Sequence, residues 1–382
     1  MNAAQSEVLE HNARLRRLVD EITSSCPFYE PWKGETVRLD ELPVIDKRTI
    51  AEQRERFELP RSADTVTHES FTSGTTGVPF RCVKTAEEQL ALSLALFGHR
   101  RRWGLPLRHR SVVLSNRMLA EPHTFAHYAH VIADQRPHMI QGRSSALHAL
   151  AHYMEERGIR PPESLRFAQN WGEPLQPAHR SAVERVFGVP LVDYYGLEEI
   201  WCVAFTGTTG RLEIDEQLVY IEAVDPSTRE PVPDGEYGEL LVTSYVMRSL
   251  PFLRYRTGDI GKLINDGETG KRVVELMPAR VSQIRLPGRK ASAAIFRYFD
   301  RFFYELSATA GVRQFQIEQQ SYTRFRLRFA ADPFPVEPIR ERFGSMLSRC
   351  LGTEVEVDVE IVAEIAPHPE SGKFQSFVSL VP

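Results

Sequence analysis

The sequence predicts an α/β protein with a large N-terminal domain, mostly parallel in its sheets, and a small mobile α+β domain at the C-terminus. Up to about residue 200, short apolar segments alternate with helical segments, which is typical of a parallel sheet. After about residue 210, apolar segments separated by Gly, Pro and Asp turns predict a β-rich subdomain. From about residue 290, a helix, two strands, a helix and a strand follow one another. We therefore predict domains at residues 1–287 and 288–382.

The composition is that of an ordinary globular chain. Its 382 residues are 42% hydrophobic and 26% charged, which is enough for two domains with good cores. A net charge of −4 favours neither a nucleic-acid nor a membrane partner. The polar N-terminus lacks a signal-peptide core, and the longest apolar run, residues 90–97, is too short to span a bilayer. The four cysteines show no paired spacing, which predicts a cytoplasmic protein without a zinc site or disulfides.

Apolar periodicity predicts the elements in order along the chain. A helix is expected over residues 4–24, and Asp46 is expected to cap a short helix beginning near Lys47. The other helices are predicted at residues 86–103, 144–157, 177–187, 296–308 and 337–351. The strands are predicted at residues 111–116, 165–169, 191–194, 218–224, 239–244, 252–255, 273–276, 314–318, 324–329 and 354–362.

The segment 71–79, Phe-Thr-Ser-Gly-Thr-Thr-Gly-Val-Pro, combines small, hydroxylated and glycine residues. Glycine allows positive φ and close approach of a ligand. Hydroxyls and backbone amides of such a turn form a concave set of donors suited to a polyphosphate. A plain surface turn is the commoner explanation for such a cluster. The segment becomes informative only together with the rest of the chain.

Further segments combine glycine turns with charged or aromatic residues. Taken singly, each is more often a structural turn, a core aromatic or a solvated lysine. It is improbable that all of them would occur in this order by chance. They are Tyr194-Tyr195-Gly196-Leu197-Glu198-Glu199, residues 235–240, Tyr255-Arg256-Thr257-Gly258-Asp259, Gly288-Arg289 and Ser371-Gly372-Lys373.

These segments together resemble the adenylate-forming superfamily, which includes acyl- and aryl-CoA ligases, luciferase and peptide-synthetase adenylation domains. The resemblance is greatest to the compact phenylacetate-CoA ligase branch, and it runs from about residue 27 to residue 373. The loop 73–79 is the most specific match, followed by 195–199 and 255–259. The resemblance implies an enzyme that uses ATP and Mg²⁺ to convert a carboxylic acid to acyl-AMP, with release of pyrophosphate.

The same resemblance implies a role for each segment. Glu199 would hold Mg²⁺ against the α-phosphate, and Lys373, on the mobile domain, would bridge the carboxylate and the α-phosphate. Asp259 would bind the ribose hydroxyls, and Arg289 would mark the hinge and touch the ribose or a phosphate. The remaining nucleotide-binding positions would be those of the phosphate loop and the adenine pocket: Ser73, Gly74, Thr75, Thr76, Gly77, Gly172, Glu173, Pro174, Tyr195 and Gly196.

The sequence departs from the family pattern at two places. Glu198 stands where the family usually has Ser or Thr, so a second carboxylate either disturbs the metal or points to solvent. Residues 290–297 replace the paired aspartates and the Arg-Gly loop that help to make the thiol tunnel in phenylacetate-CoA ligases. The acceptor therefore stays open, with CoA slightly favoured over a carrier-protein thiol or an amine.

The acid is less well specified than the nucleotide. Trp171 and Trp201 favour a flat or apolar acid, and an aromatic one in particular, because aromatic rings stack and shed water well. A core position is an equally good explanation for both tryptophans. The other candidate pocket residues are His123, His127, Asn170, Tyr194 and Ile200.

Two competing interpretations were weighed. A P-loop NTPase fails because 73–79 lacks Gly-Lys-Ser/Thr, and 267–272 has neither the spacing nor the hydroxyl of that motif. A non-catalytic nucleotide-binding scaffold derived from the family would fit the altered stretch 290–297. Lys373 argues against it, because a protein that only binds nucleotide has no need of the mobile lysine.

Overall fold

A computed structural model of the chain describes residues 3–34, 37–62, 64–71, 80–115, 118–121, 123–286, 291–308, 312–368 and 374–381. It confirms the predicted fold class, because one parallel sheet is followed by a large antiparallel sheet and then by an α+β unit. Within the described residues, every helix falls short of the length and apolar character that crossing a bilayer requires. Cys26, Cys82, Cys202 and Cys350 are all free thiols.

The N-terminal part of the chain contains the residues on either side of the predicted phosphate loop. Asp46 caps its short helix as predicted, because its carboxylate accepts a hydrogen bond from Thr49 N at 2.8 Å. Phe71 pairs with Arg81 in an antiparallel hairpin, so both ends of the loop meet at one edge. The elements are α1 (Ala3–Ser25), α2 (Lys47–Glu52), α3 (Arg54–Phe57), β1 (Thr67–Phe71), β2 (Arg81–Thr85) and α4 (Ala86–Arg102).

The parallel sheet has the strand order β3-β4-β5-β6. One face packs on three helices, while the other faces α4 and the strands that follow. The strand β4 and the helix α5 were not predicted from the sequence. The elements are β3 (Ser111–Val113), α5 (Thr124–Gln135), β4 (Met139–Gly142), α6 (Ser144–Glu156), β5 (Phe167–Asn170), α7 (Pro177–Phe187) and β6 (Leu191–Val192).

The chain leaves the parallel sheet at Asp193. The prediction of one continuous strand over residues 191–194 was wrong, since β6 ends at Val192 and a new strand, β7 (Tyr194–Leu197), pairs with β8 (Trp201–Thr206). Asn170 Nδ2 donates a hydrogen bond to Asp193 Oδ1 at 2.7 Å and so fixes the point of departure. The predicted nucleotide motif 195–199 therefore begins where the chain passes from one sheet to the other.

The β-rich part forms an antiparallel sheet in the order β10-β11-β12-β13-β9-β8-β7. The prediction of a strand at residues 252–255 was wrong, since the strand begins only at Tyr255. Phe252 and Leu253 are buried core residues, and Arg254 has a φ of 48°, which breaks the extended conformation. The remaining strands are β9 (Leu212–Ile214), β10 (Val219–Val224), β11 (Tyr237–Ser244), β12 (Tyr255–Asn265) and β13 (Arg272–Arg280).

The C-terminal part has the predicted order of elements. Its sheet order is β16-β15-β14-β17, and its apolar cluster also includes Tyr237, Ile260 and Met277 of the β-rich sheet. The boundary between residues 287 and 288 stays a prediction. The elements are α8 (Ala293–Ala308), β14 (Val312–Gln319), β15 (Arg324–Ala331), α9 (Glu337–Leu351), β16 (Glu356–Val362) and β17 (Phe377–Ser379).

Candidate active site

Two motifs that are far apart in the sequence meet through a reciprocal pair of hydrogen bonds. Tyr195 of the first motif donates to Asp259 Oδ2 of the second at 2.9 Å. Tyr255 of the second motif donates to Glu199 Oε1 of the first at 2.8 Å. Each tyrosine thus holds the carboxylate of the other motif. The two predicted ligand-binding carboxylates are therefore fixed relative to one another before any ligand arrives.

Glu199 is a buried carboxylate with a cationic partner. The Lys47 ammonium lies 2.8 Å from its Oε1, at the first position of α2. Burial raises the pKa of Glu199, but the Lys47 charge and the hydrogen bonds it accepts outweigh burial, so the pKa is lowered overall. Both close contacts are made to Oε1. Glu199 is thus held ionised with its second oxygen turned away from Lys47 and Tyr255.

Asp259 has a comparable partner on the neighbouring strand. Arg280 pairs with it across β12 and β13, and Arg280 Nε lies 2.9 Å from Asp259 Oδ1. The Asp259 charge raises the pKa of Arg280, against the opposite effect of burial. Gly258, with a φ of 76°, makes the tight turn just before the carboxylate, a conformation that favours glycine. The predicted ribose ligand is half-exposed and electrostatically balanced.

Glu173 links the predicted adenine segment to the C-terminal part of the chain. Its Oε1 accepts a hydrogen bond from Ser145 N at 2.6 Å, at the start of α6. Its Oε2 accepts one from Phe374 N at 3.4 Å. Gly172 precedes it with a φ of 74°, and Pro174 is exposed. The described residue next to Lys373 therefore lies against the segment predicted to hold the base.

The candidate acid-pocket residues occupy different environments. Trp171 Nε1 is buried and has no hydrogen-bond partner in the described part of the chain. Trp201 is half-buried and takes a φ of 64°, which is unusual for a bulky residue and marks a constrained turn. Asn170 and Ile200 are fully buried, and the Asn170 amide holds Asp193 and the carbonyl of Glu173.

Other candidates are less enclosed. His123 and His127 are exposed at the start of α5, and the His127 ring packs against Tyr128. Tyr194 is half-buried, and its hydroxyl lies 3.8 Å from Cys202 Sγ. A Cβ at Gly196 would come within 2.5 Å of the Tyr194 hydroxyl, so glycine is needed there for space. Glu198 is exposed, which matches the alternative that it points to solvent.

Three cationic residues of the site were missed from the sequence. Lys47 and Arg280 neutralise the two carboxylates, and buried Lys84 donates to the carbonyl of Glu198 at 2.7 Å. The sequence contains one signal for Lys47. A cation at a helix N-terminus is unfavourable to the helix dipole, so a lysine at that position suggests a role other than helix stabilisation. Arg280 and Lys84 lie in strands without any local feature that marks them.

Several predicted residues lie outside the described part of the chain. They are the phosphate loop residues Ser73, Gly74, Thr75, Thr76 and Gly77, with Arg289 and Lys373. Within the described ranges, no group of three or more His, Cys, Asp or Glu residues is placed to hold a metal ion by itself.

Comparison with known proteins identifies the family of this chain. A model of the AMP-binding enzyme family matches residues 9–249. The chain is 30% identical over 306 residues to the phenylacetate-coenzyme A ligase of Thermus thermophilus, covering 69% of this chain and 68% of that protein. The phenylacetate-coenzyme A ligase of Escherichia coli is 35% identical over 142 residues, which span 32% of its length. The chain therefore belongs to the AMP-binding enzyme family, and it is an adenylate-forming ligase.

Solved structures support the fold. A 2-hydroxyisobutyryl-CoA ligase in complex with 2-HIB-AMP superposes with a TM-score of 0.68 at 18% identity, covering 96% of this chain and 88% of that one. The amide bond synthetase McbA from Marinactinospora thermotolerans gives a TM-score of 0.54 at 18% identity, covering 80% of this chain and 67% of that one. At such identities the likeness concerns the fold alone.

Proposed function

We propose that this chain converts a carboxylic acid and ATP to acyl-AMP and pyrophosphate, and then transfers the acyl group to the thiol of CoA. The observation that carries the proposal is the reciprocal pair of hydrogen bonds, Tyr195 to Asp259 and Tyr255 to Glu199. It holds two carboxylates at one site, as a ribose and a metal-bound phosphate require. An aromatic acid is the preferred substrate class.

The chemistry asks little of the protein beyond positioning and charge. A carboxylate oxygen attacks the α-phosphorus, an O–P bond forms, and the bond to the bridging oxygen of pyrophosphate breaks. Negative charge grows on the phosphoryl oxygens during this step, so fixed cations near them accelerate it. Lys373 is the proposed cation of this kind. No protein nucleophile or general base is needed.

The donor set at Glu199 fits Mg²⁺. This ion prefers oxygen ligands and usually takes one or two carboxylates together with substrate phosphates and water. Lys47 and Tyr255 both contact Oε1, so a metal would be held through Oε2. When bound there, Mg²⁺ would offset charge on the phosphates. Lys47 keeps the carboxylate ionised whether or not the metal is present.

The acceptor is a thiol in this proposal, and CoA is the first choice. The two phenylacetate-coenzyme A ligases and the 2-hydroxyisobutyryl-CoA ligase described above are CoA ligases by name, and the sequence match to the Thermus enzyme extends over 306 residues. A carrier-protein thiol or an amine is the alternative, which the altered stretch 290–297 favours. Withdrawal of the lysine after the first step would let the acceptor enter the same site.

The proposal is tested by ATP–pyrophosphate exchange with a panel of aryl, hydroxy and amino acids in the presence of Mg²⁺. We expect exchange with at least one acid, and turnover with that acid is expected to rise when CoA is added. ATP binding without exchange for every acid would instead support a nucleotide-binding scaffold. Exchange without any effect of CoA would move the acceptor to a carrier protein or an amine.

A further inference from the structure

Arg100 is a positive charge inside the molecule that the nucleotide chemistry leaves unused. It lies near the end of α4, and its guanidinium is half-buried. Its Nε donates to Gln169 Oε1 at 2.8 Å and its Nη2 donates to Gln141 Oε1 at 2.9 Å. These two glutamines face each other on β5 and β4, at the carboxyl ends of the parallel strands.

Among the residues that the structure describes, the Arg100 guanidinium makes hydrogen bonds only to neutral side chains. In the described ranges, Arg100 forms no ion pair with Asp or Glu, whereas arginines elsewhere in the chain commonly do. Burial lowers its pKa, with a smaller opposite effect from Tyr194 and Cys202. Arginine nevertheless stays protonated at any ordinary pH. A buried charge held only by amides is incompletely compensated.

Arg100, Gln141 and Gln169 form a cluster, and this cluster contains a buried hydrogen-bond donor that lacks a partner among the described residues. Gln169 is fully buried, and its Nε2 has no hydrogen-bond partner among the described residues. Its Oε1 is taken by Arg100, so its amide nitrogen is left to donate elsewhere. Trp171 Nε1, two residues further along, is also buried and unpartnered. Buried donors of this kind are uncommon in native proteins and call for an explanation.

The cluster adjoins the candidate acid pocket on two sides. Gln169 is followed directly by Asn170 and Trp171, two of the predicted pocket residues. Tyr194, which lies within electrostatic range of Arg100, covers Gly196 at the start of the turn that carries Glu199. In α/β proteins, ligands commonly bind next to the carboxyl ends of the strands of a parallel sheet.

We propose that Arg100, with the amide of Gln169, binds a second carboxylate of the acid substrate, so that the enzyme activates a dicarboxylic acid at one end and holds it at the other. This inference rests on the proposed function and names its substrate class. A guanidinium recognises a planar carboxylate through two hydrogen bonds, and Arg100 has donors beyond those given to the glutamines. The bound anion would supply the missing counter-charge.

The first test uses the wild-type protein and needs no variant. ATP–pyrophosphate exchange is measured with benzene-1,3- and benzene-1,4-dicarboxylate, with aliphatic dicarboxylates, with the monomethyl ester of each, and with benzoate and phenylacetate. The ester keeps the shape and removes one charge. We expect a kcat/KM for the best diacid about 10- to 100-fold above that of its ester. Equal or better use of the esters or simple acids would overturn the inference and leave the proposed function intact.

The second test uses Arg100→Gln and Arg100→Lys, with Arg108→Gln as a matched control on an exposed arginine of the same region. Arg100→Gln is expected to reduce the diacid-to-ester ratio of kcat/KM about 10- to 100-fold. Arg100→Lys should restore part of it, and Arg108→Gln should leave it unchanged. A lower melting temperature with an unchanged diacid-to-ester ratio would show that Arg100 only stabilises the fold, and it would overturn the inference. No exchange with any acid in the wild type would instead count against the proposed function.

Discussion

The nucleotide side and the acid side of the site balance their charges differently. On the nucleotide side, Glu199 is paired with Lys47 and Asp259 with Arg280, so four buried or half-buried charges cancel. On the acid side, Arg100 has two glutamine carbonyls and no carboxylate among the described residues. The two ion pairs are complete without a ligand, whereas we propose that a carboxylate of the substrate completes the second arrangement.

This difference indicates where each ligand must bring charge compensation. Because Lys47 and Arg280 are already engaged, they have little net charge to offer to the phosphates of ATP. We therefore expect Mg²⁺ and Lys373 to supply the additional positive charge there. On the proposed acid side, the protein would supply the cation and the substrate would supply the anion. This difference in charge balance leads to three predictions, which are given from the largest expected effect to the smallest.

The largest effect is expected for Lys373→Ala. Because Lys47 and Arg280 are committed to carboxylates, removal of Lys373 takes away the charge that we expect the protein to place at the α-phosphate. Pyrophosphate exchange should fall roughly 10²- to 10³-fold, while the affinity for ATP changes little. Exchange rates and ATP binding by calorimetry check this, with Lys33→Ala as an exposed-lysine control. Full exchange activity in Lys373→Ala would show that the assignment of this lysine is wrong.

A smaller loss is expected for Glu199→Gln. The amide keeps the shape and the contact with Tyr255 but leaves Lys47 without its counter-charge, so the nucleotide side comes to resemble the acid side. Exchange should fall about 10- to 100-fold, and the Mg²⁺ concentration for half-maximal rate should rise. A normal Mg²⁺ dependence in this variant would contradict the metal role of Glu199.

The smallest effect concerns stability and its pH dependence in Lys47→Met. In the wild type the pKa of Glu199 is lowered, so its stabilisation is present above the pKa of an unfolded carboxyl, about 4.3, and is lost below it. Without Lys47, burial should raise that pKa above the unfolded value. The variant should then be less stable by about 1–2 kcal/mol near pH 7, and the difference should shrink towards pH 4.

Thermal or urea unfolding at several pH values measures this difference. Lys33→Met is the matched control, because Lys33 is exposed, and its effect should not depend on pH. A constant difference between Lys47→Met and the wild type from pH 4 to 7 would mean that Lys47 does not control the ionisation of Glu199.

The sequence identified more of the residues that meet around Glu199 and Asp259 than of those around Arg100, because the former lie in local motifs. Tyr195, Glu199, Tyr255 and Asp259 lie within two short glycine-containing motifs, so a few neighbouring residues identify them. Their cations come from elsewhere in the chain, and only tertiary structure brings them together. Arg100 is the extreme case, because its partners lie 41 and 69 residues away in sequence.

The misplaced elements have similar physical causes. Phe252, Leu253 and Tyr255 are apolar core residues, which made the segment resemble a buried strand. The positive φ of Arg254 prevents a strand there. The strand predicted at 191–194 ends early because Asp193 is tied to Asn170. The strand β4 has four residues, which are too few for a periodic pattern to identify it.

The most direct test of the central claim follows the oxygen atoms of the acid. Once exchange identifies an acid, that acid is labelled with ¹⁸O in its carboxylate and is turned over with ATP, Mg²⁺ and CoA. Attack of the carboxylate on the α-phosphorus predicts one ¹⁸O in the AMP released and none in pyrophosphate, by mass spectrometry. Label in free phosphate with formation of ADP, or AMP without label, would contradict an acyl-adenylate mechanism.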